Sequence, residues 1–373
     1  MLISGGRVVT PARVFTPGWV LVEGDRVLDV QAGAPPRPAD LELPAATLVP
    51  GYVDAHLHGG GGASFDSGDP ELAATVARAH LAHGTTSLMA SLVTDRPAQL
   101  ARSVRELVAL VEDGLLAGIH LEGPWLSPRH PGAHDPALLA EPTPGAVDAL
   151  VEAGAGHLRM VTLAPELTGG LDAVRRLSAS GVVVAIGHTD ATYDDARAAL
   201  DAGAGVGTHL FNAMRGLHHR EPGPVTALLE HPDAFVELIA DGVHLHPAVL
   251  RLAATRKPHL AVLVTDAMAA AGAGDGDYLL GQLTVQVRDG VARLASNGAI
   301  AGSTLTLAAA VRFAVRVAGL AIDDVVRAAT ASPAAMLGLA KVGSLRPGYR
   351  ADLVVLDEEL DVLRVMHRGV WVS

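Results

Sequence analysis

The sequence contains no cysteine. That absence rules out disulfides, thiolate zinc sites and a cysteine nucleophile, and it is what a reducing compartment permits. Any metal must therefore sit on His, Asp or Glu. Charge is sparse as well: 18% of the 373 residues are charged, and the formal net charge is −12. A negative surface disfavours nucleic acid and anionic membranes, so a phosphate ligand would need a local basic pocket. No run of about 20 uncharged apolar residues occurs, and the start "MLISGGRVVTPARVF" lacks the basic segment and long apolar stretch of a signal peptide. The expected setting is the cytoplasm, with neither nucleic acid nor a membrane as partner.

What is present is an apolar fraction of 49%, enough for a substantial core. Single cores rarely grow past roughly 250 to 300 residues, so the length suggests one large domain and a smaller one. Residues 1–47 read as short strands separated by turns ("RVVT", "WVLVEGDRVLDVQA"), and the tail from 345 to 373 repeats that style. The two ends are expected to form one small β-sandwich domain.

The middle, 48–344, alternates β-branched runs with Ala-rich helical stretches. Eight strand candidates follow in order: "LVPGYVDAHLH", "TTSLMASL", "LAGIHLEGP", "LRMVTLAPE", "VVVAIGHT", "GVGTHLF", "VELIADGVH" and "AVLVTDAM". That order fits a (β/α)8 TIM-type barrel, although an open doubly wound sheet shows the same alternation. The polar residues favour the barrel: His56, His58, Glu122, His188, His209, His244 and Asp266 all fall at or just past C-terminal strand ends, where barrels place catalytic groups. After the eighth strand, "YLLGQLTVQVRDGVARLA" reads as an inserted hairpin.

His56 and His58 lie two apart on a strand and point to one face, so both can reach one ion. His-x-His alone does not separate a metal pair from two core histidines. Burying Glu122, His188, His209 and Asp266 beside them would be costly without a cation or mutual hydrogen bonds.

The ordered series "PGYVDAHLHG", "HLEGPW", "GHTDA", "THLFNAM", "REPG", "ADGVHLHP", "VTDAM" and "AGSTLTL" resembles the amidohydrolase superfamily over nearly the whole chain, and within it the N-acetylglucosamine-6-phosphate deacetylases. The resemblance implies hydrolysis of the acetamide of N-acetyl-D-glucosamine 6-phosphate, with a related N-acyl sugar phosphate such as the galacto epimer as alternative and a non-catalytic scaffold as a remote one. It implies that Glu122, His188 and His209 hold the main divalent metal, while His56 and His58 complete a second site sharing Glu122. One or two ions per subunit are expected, zinc first, with iron, manganese or cobalt admitted by the ligand chemistry. The only lysines are Lys257 and Lys341, and "LRMVTLAPE" has none. This argues against the carboxylated-lysine bridge of dihydroorotases and hydantoinases, and Glu122 is the implied replacement.

By the same resemblance Asp266 is the general base and acid, and His134 steadies the oxyanion, with His130 close by in the chain as a competitor for that place. Phosphate falls to His244, Asn212, the N–H of Ala213, and Arg220, which would reach a neighbouring subunit's site and make a homodimer functional. His218 and His219 carry no assigned role. Nothing resembling a P-loop or a strand-linked GxGxxG follows Gly59 to Gly62, so a nucleotide site is not expected there. Close approach of backbone to metal and sugar, or loop flexibility, accounts for these glycines.

Overall fold

The structure, a computed structural model, describes residues 1–372. Eight parallel strands, Tyr52–Asp54, Thr85–Leu92, Gly118–Glu122, Leu158–Leu163, Val183–Ile186, Ala204–Gly207, Phe235–Ile239 and Ala261–Val264, pair in chain order from the first to the eighth. Helices such as Pro70–Ala82, Pro97–Glu112 and Gly170–Ala179 bury their apolar faces against them. The arrangement is a (β/α)8 barrel.

The seam between the first and eighth strands is closed by the residues that follow them. Asp54 accepts hydrogen bonds from the Thr265 hydroxyl at 2.7 Å and the Thr265 N–H at 3.3 Å. Beyond it, Asp266 N–H donates to the His56 carbonyl at 2.9 Å and His58 N–H to the Ala267 carbonyl at 2.7 Å. The backbone carrying three candidate site residues thus also shuts the barrel, which ties their geometry to the fold.

A buried polar layer crosses the interior below the site. His120 pairs Nδ1 with the Ser91 hydroxyl and Nε2 with the Thr162 hydroxyl, both at 2.9 Å, and Thr162 meets Thr208 at 2.9 Å. Burial holds the His120 ring well below its ordinary pKa, and the neighbouring His56 charge pushes the same way. Every one of these polar groups has a partner, which is the condition for a polar layer at this depth.

The chain ends form one eight-stranded sheet, with Leu41–Pro50 between Leu2–Val9 and Leu353–Leu356. Its inward residues, including Ile3, Val20, Leu48, Leu353 and Met366, make a core distinct from that of the barrel, as expected of a β-sandwich domain built from both termini.

The insertion after the eighth strand is larger than a hairpin. It has three antiparallel strands, Gly276–Leu280, Leu283–Arg288 and Val291–Leu294, because the stretch holds two reversals, one at Gly281 and one at Asp289 and Gly290. Leu280, Val285 and Val287 pack with Val93 and Met268 of the barrel loops, fixing the insertion over the C-terminal ends of the strands.

Candidate metal centre and active site

At that end lies a cavity of about 500 Å³ lined by His58, Glu122, His134, His188, His209, Asn212, Ala213, His244 and Asp266, with Leu280, Asn297, Ala299 and Ile300 of the insertion forming part of its wall. Glu122 is its centre. Oε1 lies 3.1 Å from His188 Nε2 and 3.0 Å from His209 Nε2, and those two nitrogens are 3.1 Å apart. Oε2 lies 3.1 Å from His58 Nε2 and 3.5 Å from His56 Nε2. Asp266 Oδ1 faces the same pair at 3.3 and 3.6 Å. One ligand atom from each of His56, His58, Glu122 and Asp266 lies within 4.8 Å of all the others.

The outer partners show what these nitrogens are for. His58 Nδ1 donates to the Ser91 carbonyl at 3.2 Å, and His188 Nδ1 to the His130 carbonyl at 2.9 Å. His56 Nδ1 donates to the Glu237 carboxylate at 3.0 Å. With the proton outward on Nδ1, each ring turns a free Nε2 lone pair toward the Glu122 carboxylate, an arrangement that a cation between them stabilises. The donor set fits a divalent metal.

Without a cation, protons must balance the carboxylates. Burial works against charge on His56 and His58, yet Glu122 and Glu237 hold the first well above its ordinary pKa, and Asp266 and Glu122 hold the second up at about 9. Burial alone would raise the Glu122 carboxyl, but the His56 charge and hydrogen bonds from His134 and His188 keep it well below the carboxylate range. Binding a metal to such a cluster releases protons.

His134 is also close, with Nε2 at 3.4 Å from Glu122 Oε2. One ligand atom from each of Glu122, His134 and His188 also lies within 4.8 Å of the other two. Its Nδ1, however, accepts the Thr94 N–H at 3.3 Å, so the ring proton sits on Nε2 and His134 serves as a donor. Burial pushes its pKa down to about 4, which keeps the ring neutral at pH 7. His130 instead pairs Nε2 with Asp190 at 3.2 Å, while its carbonyl orients His188.

Strain collects here. His188, His209, Ala213 and Asp266 all adopt positive φ, at 47°, 27°, 48° and 49°. Non-glycine residues hold this conformation only where surrounding contacts enforce it. Gly132, at φ +55°, lets its loop lie on His188: an added Cβ would sit 2.7 Å from the ring. The Gly59 region has another cause than the expected approach to metal and sugar. A Cβ on Gly59 would meet the Ala63 carbonyl at 2.4 Å and the Ala269 nitrogen at 2.9 Å, and the Gly59 carbonyl accepts from His80 at 2.9 Å.

At the far wall, His244 Nδ1 donates to Asp241 at 2.6 Å; although burial opposes the charge, this bond raises the ring's pKa. The Asn212 amide nitrogen donates to the His209 and Leu210 carbonyls at 3.1 and 3.3 Å. Arg220 lies outside the cavity, exposed, with Nη1 2.8 Å from His219 Nε2, and the His218 and His219 rings lie 4.2 Å apart, tilted by 43°. Among cavity residues that sequence reasoning passed over are Arg129, paired with Asp190 at 2.9 Å, and Asn297 and Ile300. Glu237 was also passed over, although a lone acid inside "VELIA" is a signal.

The chain matches the amidohydrolase family over residues 47–372. It is 40% identical over 374 residues to the N-acetylgalactosamine-6-phosphate deacetylase of Escherichia coli O157:H7, covering 98% of this chain and 99% of the relative. It is 37% identical over 339 residues to the N-acetylglucosamine-6-phosphate deacetylase of Vibrio furnissii, covering 89% and 85%. Among solved structures, a mutant N-acetyl-D-glucosamine-6-phosphate deacetylase from Mycobacterium smegmatis in complex with N-acetyl-D-glucosamine 6-phosphate superposes with a TM-score of 0.98 at 50% identity, covering 100% of this chain and 98% of the other. With a barrel of this topology, histidines and carboxylates gathered at its C-terminal end, and likeness running through nearly its full length, the chain belongs to the amidohydrolase family.

Proposed function

We propose that the protein hydrolyses the acetamide of N-acetyl-D-glucosamine 6-phosphate to D-glucosamine 6-phosphate and acetate. The observation that carries this reading is the cavity itself. One end presents Glu122, His188, His209, His58 and Asp266, with His56 buried behind them, and the other presents His244 and the Ala213 N–H, which has no acceptor among the described residues. The first end suits an amide carbonyl and the second a phosphate.

Glu122, His188 and His209 would hold one divalent cation, and His56 and His58 a second that shares Glu122; zinc suits imidazole and carboxylate donors. Such a cation supplies Lewis acidity, polarising the carbonyl and lowering the pKa of water. Asp266 is buried and held below the usual carboxylate range: burial would raise it, but the His58 hydrogen bond and the His56 charge outweigh that. It is therefore ionised at neutral pH and able to take a proton from the attacking water and return it to the leaving amine. His134 carries its neutral N–H into the cavity beside Glu122, where it would donate to the acetamide oxygen as negative charge grows there.

His244, backed by Asp241, supplies a donor for the phosphate. Arg220 stands exposed and clear of its own cavity, as required of a residue that completes the site of a second subunit, and a planar guanidinium pairs well with phosphate oxygens. A homodimer follows from this assignment. A phosphorylated sugar is held inside the membrane by its charge, so the cytoplasm is the compartment this substrate requires; no described helix is long and apolar enough to cross a membrane.

The test is acetate release by metal-loaded protein from N-acetyl-D-glucosamine 6-phosphate, its C4 epimer and the unphosphorylated sugar. The gluco phosphate should turn over fastest, and a chelator should stop it until metal is restored. The Escherichia coli relative makes the galacto phosphate the second reading, and faster turnover of that epimer would establish it. Arg220→Ala should raise KM for the phosphorylated sugar while leaving the unphosphorylated one unaffected. Absence of acetate from every substrate would sink the proposal.

A further inference from the structure

Glu237 sits in the middle of the seventh barrel strand, fully buried between Val236 and Leu238. Its Oε2 accepts two hydrogen bonds, from His56 Nδ1 at 3.0 Å and from the backbone N–H of His209 at 3.3 Å. Its Oε1 meets no partner among the described residues. A carboxylate with one bare oxygen at this depth is costly unless positive charge compensates it. Its ion-pair partner among the described residues is the His56 ring.

His56 is thus ringed by three buried carboxylates, with Glu122 and Asp266 on its Nε2 side and Glu237 on its Nδ1 side. With the imidazoles neutral, one divalent cation leaves this cluster negative, and a second reverses its sign. Glu237 is placed to make that second cation favourable, since it touches one histidine of the His56–His58 pair directly. It reaches the Glu122–His188–His209 group only through a backbone N–H.

We propose that Glu237 is a positioning residue for a second divalent cation at His56 and His58, pinning His56 so that Nε2 stays free and adding the negative charge that tightens binding there. This rests on the reading of the Glu122 cluster as a metal centre. The expectation for an outer-shell carboxylate on a ligating histidine is a change of roughly 10- to 100-fold in metal affinity when it is replaced.

Glu237→Gln separates charge from shape. Both hydrogen bonds use the same oxygen, so a glutamine can keep them and place its amide nitrogen where Oε1 now stands bare. Zinc titration of metal-free wild type and Glu237→Gln, read by chelator competition and elemental analysis, should give two ions per wild-type subunit. In the variant the weaker constant should shift by roughly 10- to 100-fold and the tighter one should stay unchanged. His56→Ala should lose the weaker ion outright.

Equal constants in variant and wild type overturn the proposal, as does a wild type that takes up one ion only. A wild type that binds no metal instead refutes the metal centre itself, so the two failures are distinct. Should the variant not fold, the wild type still decides. Its metal-loaded form must show a downfield His56 Nδ1–H proton resonance that is absent from His56→Ala, and a His56 proton on Nε2 overturns the proposal.

Discussion

Glu122→Gln is expected to empty both cation sites and to reduce deacetylation to background. Glu122 is the one side chain that every other candidate ligand approaches: Oε1 faces His188 and His209, and Oε2 faces His58 and His56. A glutamine offers one acceptor in place of two and turns an N–H₂ group toward lone pairs that now meet an oxygen. The carboxylate charge also balances the cluster, and its loss leaves buried imidazoles with less to hold a cation against them. The loss should exceed the roughly 10- to 100-fold that removal of an outer-shell partner costs. Metal content by elemental analysis and acetate release under excess metal check it. A variant that regains activity when metal is raised would place the bridging role elsewhere.

Much of this centre was legible in the sequence because the barrel puts its chemistry at strand ends. His188 in "IGHTD" and Asp266 in "VTDAM" break apolar strands where polarity has no packing reason, and the structure brings both toward Glu122. The eight strands were legible for the complementary reason: buried on both faces, they read as continuous apolar runs. What stayed hidden lies in relations across the chain. Nothing local to "YVDAH" says that Asp54 will bond Thr265, 211 residues away, and so close the barrel. Glu237 stands out as a lone acid in an apolar strand, but nothing near it in the chain says that the barrel will turn it onto His56. The insertion needed two turns to be recognised, and its contribution of Asn297 and Ile300 to the cavity depends on packing against Met268 and Val93.

Asp266→Asn is expected to lower kcat by roughly 10²- to 10⁴-fold, the usual worth of a positioned general base and acid. The residue is fixed by backbone rather than by its own carboxylate: its N–H donates to the His56 carbonyl at 2.9 Å and its carbonyl accepts the Ser303 N–H at 2.7 Å. An asparagine can therefore keep the same φ of 49°, a conformation this residue type tolerates better than most. What it cannot do is accept a proton. Because Asp266 Oδ1 also lies within reach of the His56–His58 pair, a ligand role must be separated from a base role. If Asp266 is the base, the variant keeps its metal, binds substrate with KM little changed, and stays slow however much metal is added. If it serves chiefly as a ligand, metal content falls with activity and excess metal restores both. The pH profile gives a second readout. In the wild type the acid limb of kcat should report protonation of the Asp266 base, and in Asp266→Asn that limb should vanish.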